Sequence, residues 1–518
     1  MPNVLWIDDE IDLLRPHVLF LESKGYAVET SSNGPDGVEA VRERRPDLVL
    51  LDEQMPGMNG LDALAEIKKI APEVPVVMVT KSEEEGLMEE ALGGQIADYL
   101  TKPVNPSQVL LTAKRLLDRS RLDAEGAQRA YLQSFPELSS RLAMANTPQD
   151  WADLYLDLVA HDQRIDAEEG VRQVLDDQLR EANREFCRYV EKQYPKWIAD
   201  PDGPSERRPL LSHEVFGASV VPLLRDPKAS PVVFMVVDCM RYDQWMEMER
   251  LLHASFDIDK TTYLSILPTA TPYARNSLFS GLLPLDIQRR YPRLWDDDED
   301  EHSKNSHEET FLGDLLARKH FKDLKYKYVK VVSSKDGREF ATMDFAAQPL
   351  TAAVINFVDI LAHSRSDSAV LREIAPDERA YRALTRTWFE HSWLLTAFQQ
   401  MAKQGVTVVV TTDHGAIRCL HPTKVIGDRD TSTALRYKHG RQLRVDDKHA
   451  VFVRDPETYG LPRLSINENY ILAKEDYYFV YPTNQHHYER MYRDSMQHGG
   501  LSLDEMVLPI ATLRPKKF

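Results

Sequence analysis

Cysteine is nearly missing from this 518-residue chain: Cys187, Cys239 and Cys419 are the only three, far apart and never in C-x-x-C spacing. That usage excludes a disulfide framework and a zinc finger, and it points to a reducing compartment. Basic residues are in deficit, 64 Lys and Arg against 82 Asp and Glu, for a formal net charge of −18. An acidic surface argues against general duplex-DNA binding, which depends on Lys and Arg pairing with phosphates, although it leaves room for a local basic pocket. Long apolar runs are lacking too. The longest, such as Val232–Val237 and Val406–Val410, have the length of strands and cannot span a bilayer. The opening MPNVLWIDDE holds no basic stretch followed by an apolar one, so no signal peptide is expected. The expectation is a soluble, cytoplasmic protein. What is present is an apolar content of 42%, enough for real cores. The length suggests about two to four domains.

Residues 1–120 alternate short apolar runs (VLWID, AVET, LVLLD, PVVMVT, DYLTK) with amphipathic stretches. Five strands with intervening helices predict a doubly wound parallel sheet, in which functional groups gather at the carboxyl ends of strands. Residues 121–205 lose the strand-like runs and take on helical spacing, with Trp151, Leu154, Tyr155 and Leu158 in one stripe. A second stripe runs from Val171 through Leu175, Phe186, Val190 and Tyr194 to Trp197, and a small helical bundle is expected. The turn-rich Ala199–Pro209 reads as a linker. From residue 206 to 518 strands and helices alternate again, predicting a second, larger α/β domain. PVVFMVVD, the run ending at Asp359 and VTVVVTTDH read as buried strands that each end in a carboxylate. The acidic run 296–301, continuing into HSKNSHEE, is expected to be a solvated loop.

Two groups of residues carry chemistry. In the first domain Asp8, Asp9 and Asp52 fall at the ends of adjacent strands, a carboxylate cluster suited to Mg²⁺. Such a cation neutralises charge as Asp52 attacks a phosphoryl donor, Lys102 supplies a point charge to the acyl phosphate, and the Thr80 hydroxyl can swing to bond it. These residues resemble the receiver family closely: IDDE near the start, LLDEQMPGMNGLDAL around Asp52, VT at 79–80 and DYLTKP at 98–103. The resemblance implies a flavodoxin-like fold and phosphorylation of Asp52 by a sensor histidine kinase. It also makes Tyr99 an aromatic switch that moves with Thr80.

In the larger domain Thr271 lies in PTATPYARNSLFSG, where Pro272 fits the first turn of a helix. A nucleophile at a helix amino terminus gains from the dipole and from free N–H groups facing an anion. Asp359 and His363 are four apart, hence on one face of a helical turn. Asp238, Asp413 and His414 close strands, and His498 sits in QHGGLSLDEM, whose two glycines permit close backbone approach. A single DH pair or HGG is structural more often than functional. Together, however, Asp238, Thr271, Asp359, His363, Asp413, His414 and His498 supply seven O and N ligands, suited to two zinc-like ions. Asn276 is a candidate contact for a phosphate oxygen, with helix capping or surface exposure as the commoner role for such a residue. Arg436, Lys438 and Arg441 in RYKHGR read either as a local anion site or as a solvated loop.

The order Asp…Thr…Asp-x₃-His…Asp-His-Gly…His-Gly-Gly resembles the PglZ branch of the alkaline phosphatase superfamily over about residues 210–518. By that resemblance Asp238, Thr271, Asp413 and His414 hold one zinc ion, or manganese in its place, and Asp359, His363 and His498 hold the other. Thr271 is then the nucleophile. The proline directly after Thr271 departs from the sulfatase pattern. A receiver, helices and a PglZ domain in one chain resemble the response regulators of type IX secretion. That resemblance implies a phosphodiesterase acting on linear or cyclic oligonucleotides, partnership with a sigma factor and secretion components, and a homodimer formed on phosphorylation. A non-enzymatic adaptor with a structural metal site and a phosphomonoesterase are the competing readings.

Overall fold

The computed structural model describes residues 2–516 apart from 81–95, 166–168, 205, 227–229, 296–304, 428–433, 464, 466 and 483–484. The acidic run 296–301 therefore lies outside the described residues. The chain forms two compact units, Met1–Gln133 and Ser134–Phe518. No described helix is long and apolar enough to cross a membrane.

In the first unit β1 (Asn3–Ile7), β2 (Ala27–Ser31), β3 (Leu48–Asp52), β4 (Val76–Thr80) and β5 (Asp98–Thr101) make one sheet in the order β2-β1-β3-β4-β5. Every pairing is parallel. The order is that of flavodoxin-like folds, as the sequence predicted. Side chains alternate across the sheet, so Leu5 and Ile7 enter one core while Val4 and Trp6 enter the other. Burial on both faces is why the central strands β1, β3 and β4 are almost continuously apolar, whereas β2 and β5 at the sheet's edges carry polar residues.

The second unit combines the helices Pro148–Asp162 and Glu169–Ala199 with the larger α/β domain. Trp151, Leu154, Tyr155 and Leu158 are buried, as are Leu175, Phe186, Val190, Tyr194 and Trp197. The helix Glu169–Ala199 also packs directly on the domain: the Tyr194 hydroxyl accepts from the Leu267 N–H and Asn183 Oδ1 from the Leu503 N–H, each at 2.9 Å. The strands are β6 (Val232–Val237), β7 (Phe256–Leu264), β8 (Tyr326–Val331), β9 (Leu350–Ile355) and β10 (Thr407–Thr411). They continue as β11 (Ile417–Cys419), β12 (His421–Lys424), β13 (Tyr437–Arg441), β14 (Ala450–Val453), β15 (Glu468–Ala473), β16 (Tyr477–Val480), β17 (Ser495–Gln497) and β18 (Val507–Pro515). Six of them form the main sheet in the order β7-β18-β10-β6-β9-β8. Its central strands β10, β6 and β9 run parallel, and all of β6 is buried between two apolar layers. Three adjacent carboxyl ends thus open at one rim, the position at which α/β sheets place ligands.

Candidate functional site

At the rim of the first sheet, Asp52 closes β3 and Thr80 closes β4, while Asp8 follows β1 and Lys102 follows β5. Oxygens of Asp8, Asp9 and Asp52 lie within 4.8 Å of one another. Lys102 Nζ is 3.0 Å from Asp8 and 3.1 Å from Asp52. Burial raises the Asp52 carboxyl above its usual range, with the neighbouring Asp8 adding to the effect and Lys102 opposing it. One residue was not singled out from the sequence: Glu53, directly after Asp52, accepts a hydrogen bond from the Thr80 hydroxyl. Two acids in succession at a strand end were a signal for it.

The second site forms at the rim of the main sheet. Asp238 directly follows β6, Asp413 and His414 follow β10, and Asp359 stands in the first turn of the helix Phe357–Asp367 after β9. Asp359 was expected to end a strand; β9 instead stops at Ile355, and the helix that follows carries Asp359 and His363 on one face. Two trios result. Ligand atoms of Asp238, Asp413 and His414 lie within 4.8 Å of one another, and so do those of Asp359, His363 and His498. The His414 and His498 rings stack with centroids 4.2 Å apart, which brings the trios side by side. Thr271 begins the helix Thr271–Ser280, with Pro272 in its first turn, and its Oγ1 is 2.9 Å from His414 Nε2.

The electrostatics of this rim call for cations. Burial pushes the Asp413 carboxyl well up, with the charge of Asp238 adding to it. Burial raises Asp238 too, against the pull of Arg275. Burial also works to raise Asp359, but His363, His498 and His414 together hold it below the usual carboxylate range. Burial, with the neighbouring His498 adding to it, pushes the His414 imidazole far below its ordinary value. Asp238 Oδ1, Asp413 Oδ2 and His498 Nδ1 are buried and find no hydrogen-bond donor among the described residues. Clustered buried carboxylates with imidazoles form the donor set of zinc-like ions, so these residues fit the pair of cations that the sequence implied.

Arg275 was missed. It is buried one turn after Thr271, ion-paired to Asp238, 2.7 Å from Glu308 and 4.0 Å from Asp413. Its spacing from Thr271 placed it on the same helix face, which was a usable signal. Glu308 corrects a second expectation: it stands at the end of the stretch read as a solvated loop, yet it opens the helix Glu308–Arg318 and is buried against Arg275, Tyr328 and Lys330. Asn276 is buried inside its helix, and its Nδ2 donates to the Pro272 carbonyl at 2.8 Å, so it is neither a cap nor a surface residue. RYKHGR is not a solvated loop: Tyr437–Arg441 is strand β13, at the edge of a three-stranded sheet and paired antiparallel with β15. Arg436 is buried against Glu505, Lys438 is buried with Nζ 4.8 Å from the Tyr481 ring, and Arg441 is exposed.

Comparison with known proteins agrees with this division. Residues 215–513 match the family model described as BREX system PglZ alkaline phosphatase-like domain, and residues 4–114 match the response regulator receiver domain. Residues 121–198 match the PorX response regulator linker domain. The first match covers more than half of the chain, which belongs to the PglZ alkaline phosphatase-like family and carries a response regulator receiver domain at its amino terminus. The three matches in this order are the arrangement of a PorX-like PglZ response regulator. The receiver is 35% identical over 119 residues to protein PilH of Pseudomonas aeruginosa, covering 23% of this chain and 98% of that one. It is 32% identical over 118 residues to the transcriptional regulatory protein ResD of Bacillus subtilis, covering 23% of this chain and 49% of ResD. The chain thus spans about half the length of ResD and of several other curated relatives it matches. Among solved structures, the chemotaxis protein CheY4 of Vibrio cholerae is 30% identical, covering 23% of this chain and 99% of that one, with a TM-score of 0.21.

Proposed function

We propose that the larger domain is a two-ion phosphodiesterase for linear or cyclic oligonucleotides, governed by phosphorylation of Asp52. The observation that carries the reading is the position of Thr271: a hydroxyl at a helix amino terminus, within hydrogen-bond distance of His414, beside two trios of ligand-type residues. Asp238, Thr271, Asp413 and His414 would hold one ion, and Asp359, His363 and His498 the other. Two zinc ions, or manganese in their place, would supply Lewis acidity and neutralise charge on the phosphoryl oxygens. His414, whose Nδ1 is 3.1 Å from the Gly415 carbonyl, presents Nε2 beside the Thr271 hydroxyl, so an ion held through that nitrogen would also be within reach of Thr271 Oγ1. Thr271 Oγ1 would attack phosphorus at the helix amino terminus while one P–O ester bond breaks, the threonine proton passing through solvent to the departing alcohol; water would then hydrolyse the phosphothreonine, releasing the monoester and restoring the hydroxyl. Arg275 and Glu308 hold Asp238 in place from behind.

The choice of diester over monoester and of oligonucleotides as substrates rests on the resemblance to PglZ response regulators. In the receiver, Asp8, Asp9 and Asp52 fit Mg²⁺, and a sensor histidine kinase is the proposed phosphoryl source. A link to type IX secretion and to a sigma factor belongs to the same reading. The test is a comparison of zinc-loaded and manganese-loaded protein on bis-p-nitrophenyl phosphate and p-nitrophenyl phosphate, followed by a cyclic dinucleotide. Diester turnover that vanishes with chelator supports the proposal. Monoester turnover alone would make it a phosphomonoesterase, and no turnover with both ions bound would leave an adaptor.

A further inference from the structure

The HGG turn after β17 carries His498 and lies against the loop that carries Thr271. Three loops meet at one buried carboxylate. Glu505 Oε1 accepts from the Gly500 N–H at 2.8 Å and from Arg436 Nε at 3.0 Å. Its Oε2 accepts from Arg436 Nη2 and from the Ser502 hydroxyl, both at 2.6 Å. The Glu505 carbonyl in turn accepts from the Gly415 N–H at 3.1 Å, directly after His414. Thr269, two residues before Thr271, closes the arrangement: its hydroxyl donates to the Gly500 carbonyl at 2.7 Å and accepts from the Gly499 N–H at 3.1 Å.

Glycine is required twice in that turn. Gly499 has φ +114°, a left-handed conformation, and a Cβ there would meet Tyr437 at 2.5 Å. A Cβ on Gly500 would lie 2.5 Å from both the Arg436 guanidinium and the Ala473 carbonyl. Arg436 and Glu505 are both fully buried, and a buried ion pair is poor value as a source of stability because both charges lose their hydration. Its advantage is geometric, since a bidentate guanidinium and carboxylate fix direction as well as distance. Hydrogen-bond partners behind metal ligands of this kind set ligand orientation and thereby affinity.

We propose that Glu505, braced by Arg436, is the positioning residue that sets the His498 turn against the Thr271 and His414 loops, and so fixes the second ion site relative to the nucleophile. The inference rests on the two-ion reading above. It assigns Arg436 a place behind the site, where the sequence left a local anion site and a solvated loop as alternatives.

The test is stepwise zinc titration of the full metal-free chain against a chromophoric chelator, with circular dichroism and melting of the same samples. Glu505→Gln keeps the shape and an acceptor for the Gly500 N–H but loses the charge and the second acceptor. The second zinc ion should bind at least about tenfold more weakly, within the span known for outer partners of metal ligands, while the first stays within about threefold of wild type. Because Arg436 would be left uncompensated, Glu505→Gln can fail to fold. Thr269→Val, uncharged and of the same shape, then decides, with an expected loss of about three- to tenfold in second-ion affinity at an unchanged melting temperature. A purely structural role would move the melting temperature and leave the ratio of the two affinities alone. A folded variant with wild-type affinity for both ions would overturn the proposal. Wild-type chain that takes up two ions yet hydrolyses no diester would sink the proposed activity and leave this inference standing, whereas uptake of fewer than two ions would overturn both.

Discussion

The Thr271 hydroxyl and the His414 ring meet at 2.9 Å, across 143 residues of sequence. That one contact joins the helix Thr271–Ser280 to the end of β10 and makes the threonine more than a helix-start residue. If Thr271 is the nucleophile, Thr271→Val should lower turnover of an activated diester on the order of a thousandfold or more, while zinc content drops only modestly. Steady-state kinetics with elemental analysis of the same preparation checks both halves. Near-wild-type turnover would leave water as the nucleophile.

His363 and His498 share Asp359, at 3.3 and 3.9 Å. They differ in setting, since His363 is exposed and His498 is buried. Replacing either with Ala removes a nitrogen ligand and should weaken one ion by more than about a hundredfold, beyond the effect of an outer partner. The other ion should stay bound. Two tightly held ions in either variant would show that the replaced histidine is no ligand.

Asp504 offers a pH test away from the ligands. Burial pushes its carboxyl up to about 7, although the Tyr155 hydroxyl donates to it at 2.6 Å and Arg241 lies near. The folded state therefore holds a proton that the unfolded chain releases near pH 4, so this group costs stability as pH rises through the window from about 4 to 7. Asp504→Asn keeps the acceptor and never ionises. In urea unfolding of the metal-free protein, the variant should gain on wild type across that window, by about 4 kcal/mol at most, and the gap should level off above it. A constant difference from pH 4 to 8 would mean that Asp504 is ionised throughout.

The parts of both sites that were legible in the sequence are those set by local geometry. Strand-length apolar runs that stop at a carboxylate located Asp52 and Asp238, and the four-residue step located Asp359 with His363. Arg275, Glu308, Arg436 and Glu505 were illegible for a common reason. Each is a charge whose partner comes from a distant segment, 33 residues away for Arg275 and Glu308 and 69 for Arg436 and Glu505. Read alone, RYKHGR fits a local anion site or a solvated loop because four of its six residues are basic or imidazole; the neutralising Glu505, with the Tyr477 and Ala473 carbonyls, is what lets Arg436 be buried. Glu308 looked like the tail of an acidic loop for the same reason, until Arg275 was seen behind it.

Asp52 is the carboxylate that β3 brings beside Asp8 and Lys102, so it should be the sole phosphorylation site. Acetyl phosphate with Mg²⁺ should label the protein stoichiometrically, and Asp52→Ala should abolish the label. Persistent label in that variant would move the site elsewhere.

Phosphorylation should then act by changing assembly. The Thr80 hydroxyl is held by Glu53, so a phosphoryl group on Asp52 must draw it away from an existing acceptor. The resemblance to receivers makes Tyr99, on β5, move with Thr80. By the same resemblance they would alter the face formed by β5 and the residues around Lys102, and the expected consequence is that this face pairs with its own copy about a two-fold axis. A few kcal/mol of differential binding suffices to move a monomer–dimer balance from one side to the other. Beryllofluoride, which mimics the phosphoryl group, should therefore convert a mostly monomeric protein into a dimer and raise diester turnover. Glu53→Gln weakens the hold on Thr80 and should shift the same balance partway without the mimic. Sedimentation velocity with and without beryllofluoride, on wild type and on Glu53→Gln, measures this directly; an unchanged mass with unchanged activity in all four samples would mean that the receiver signals through some other partner.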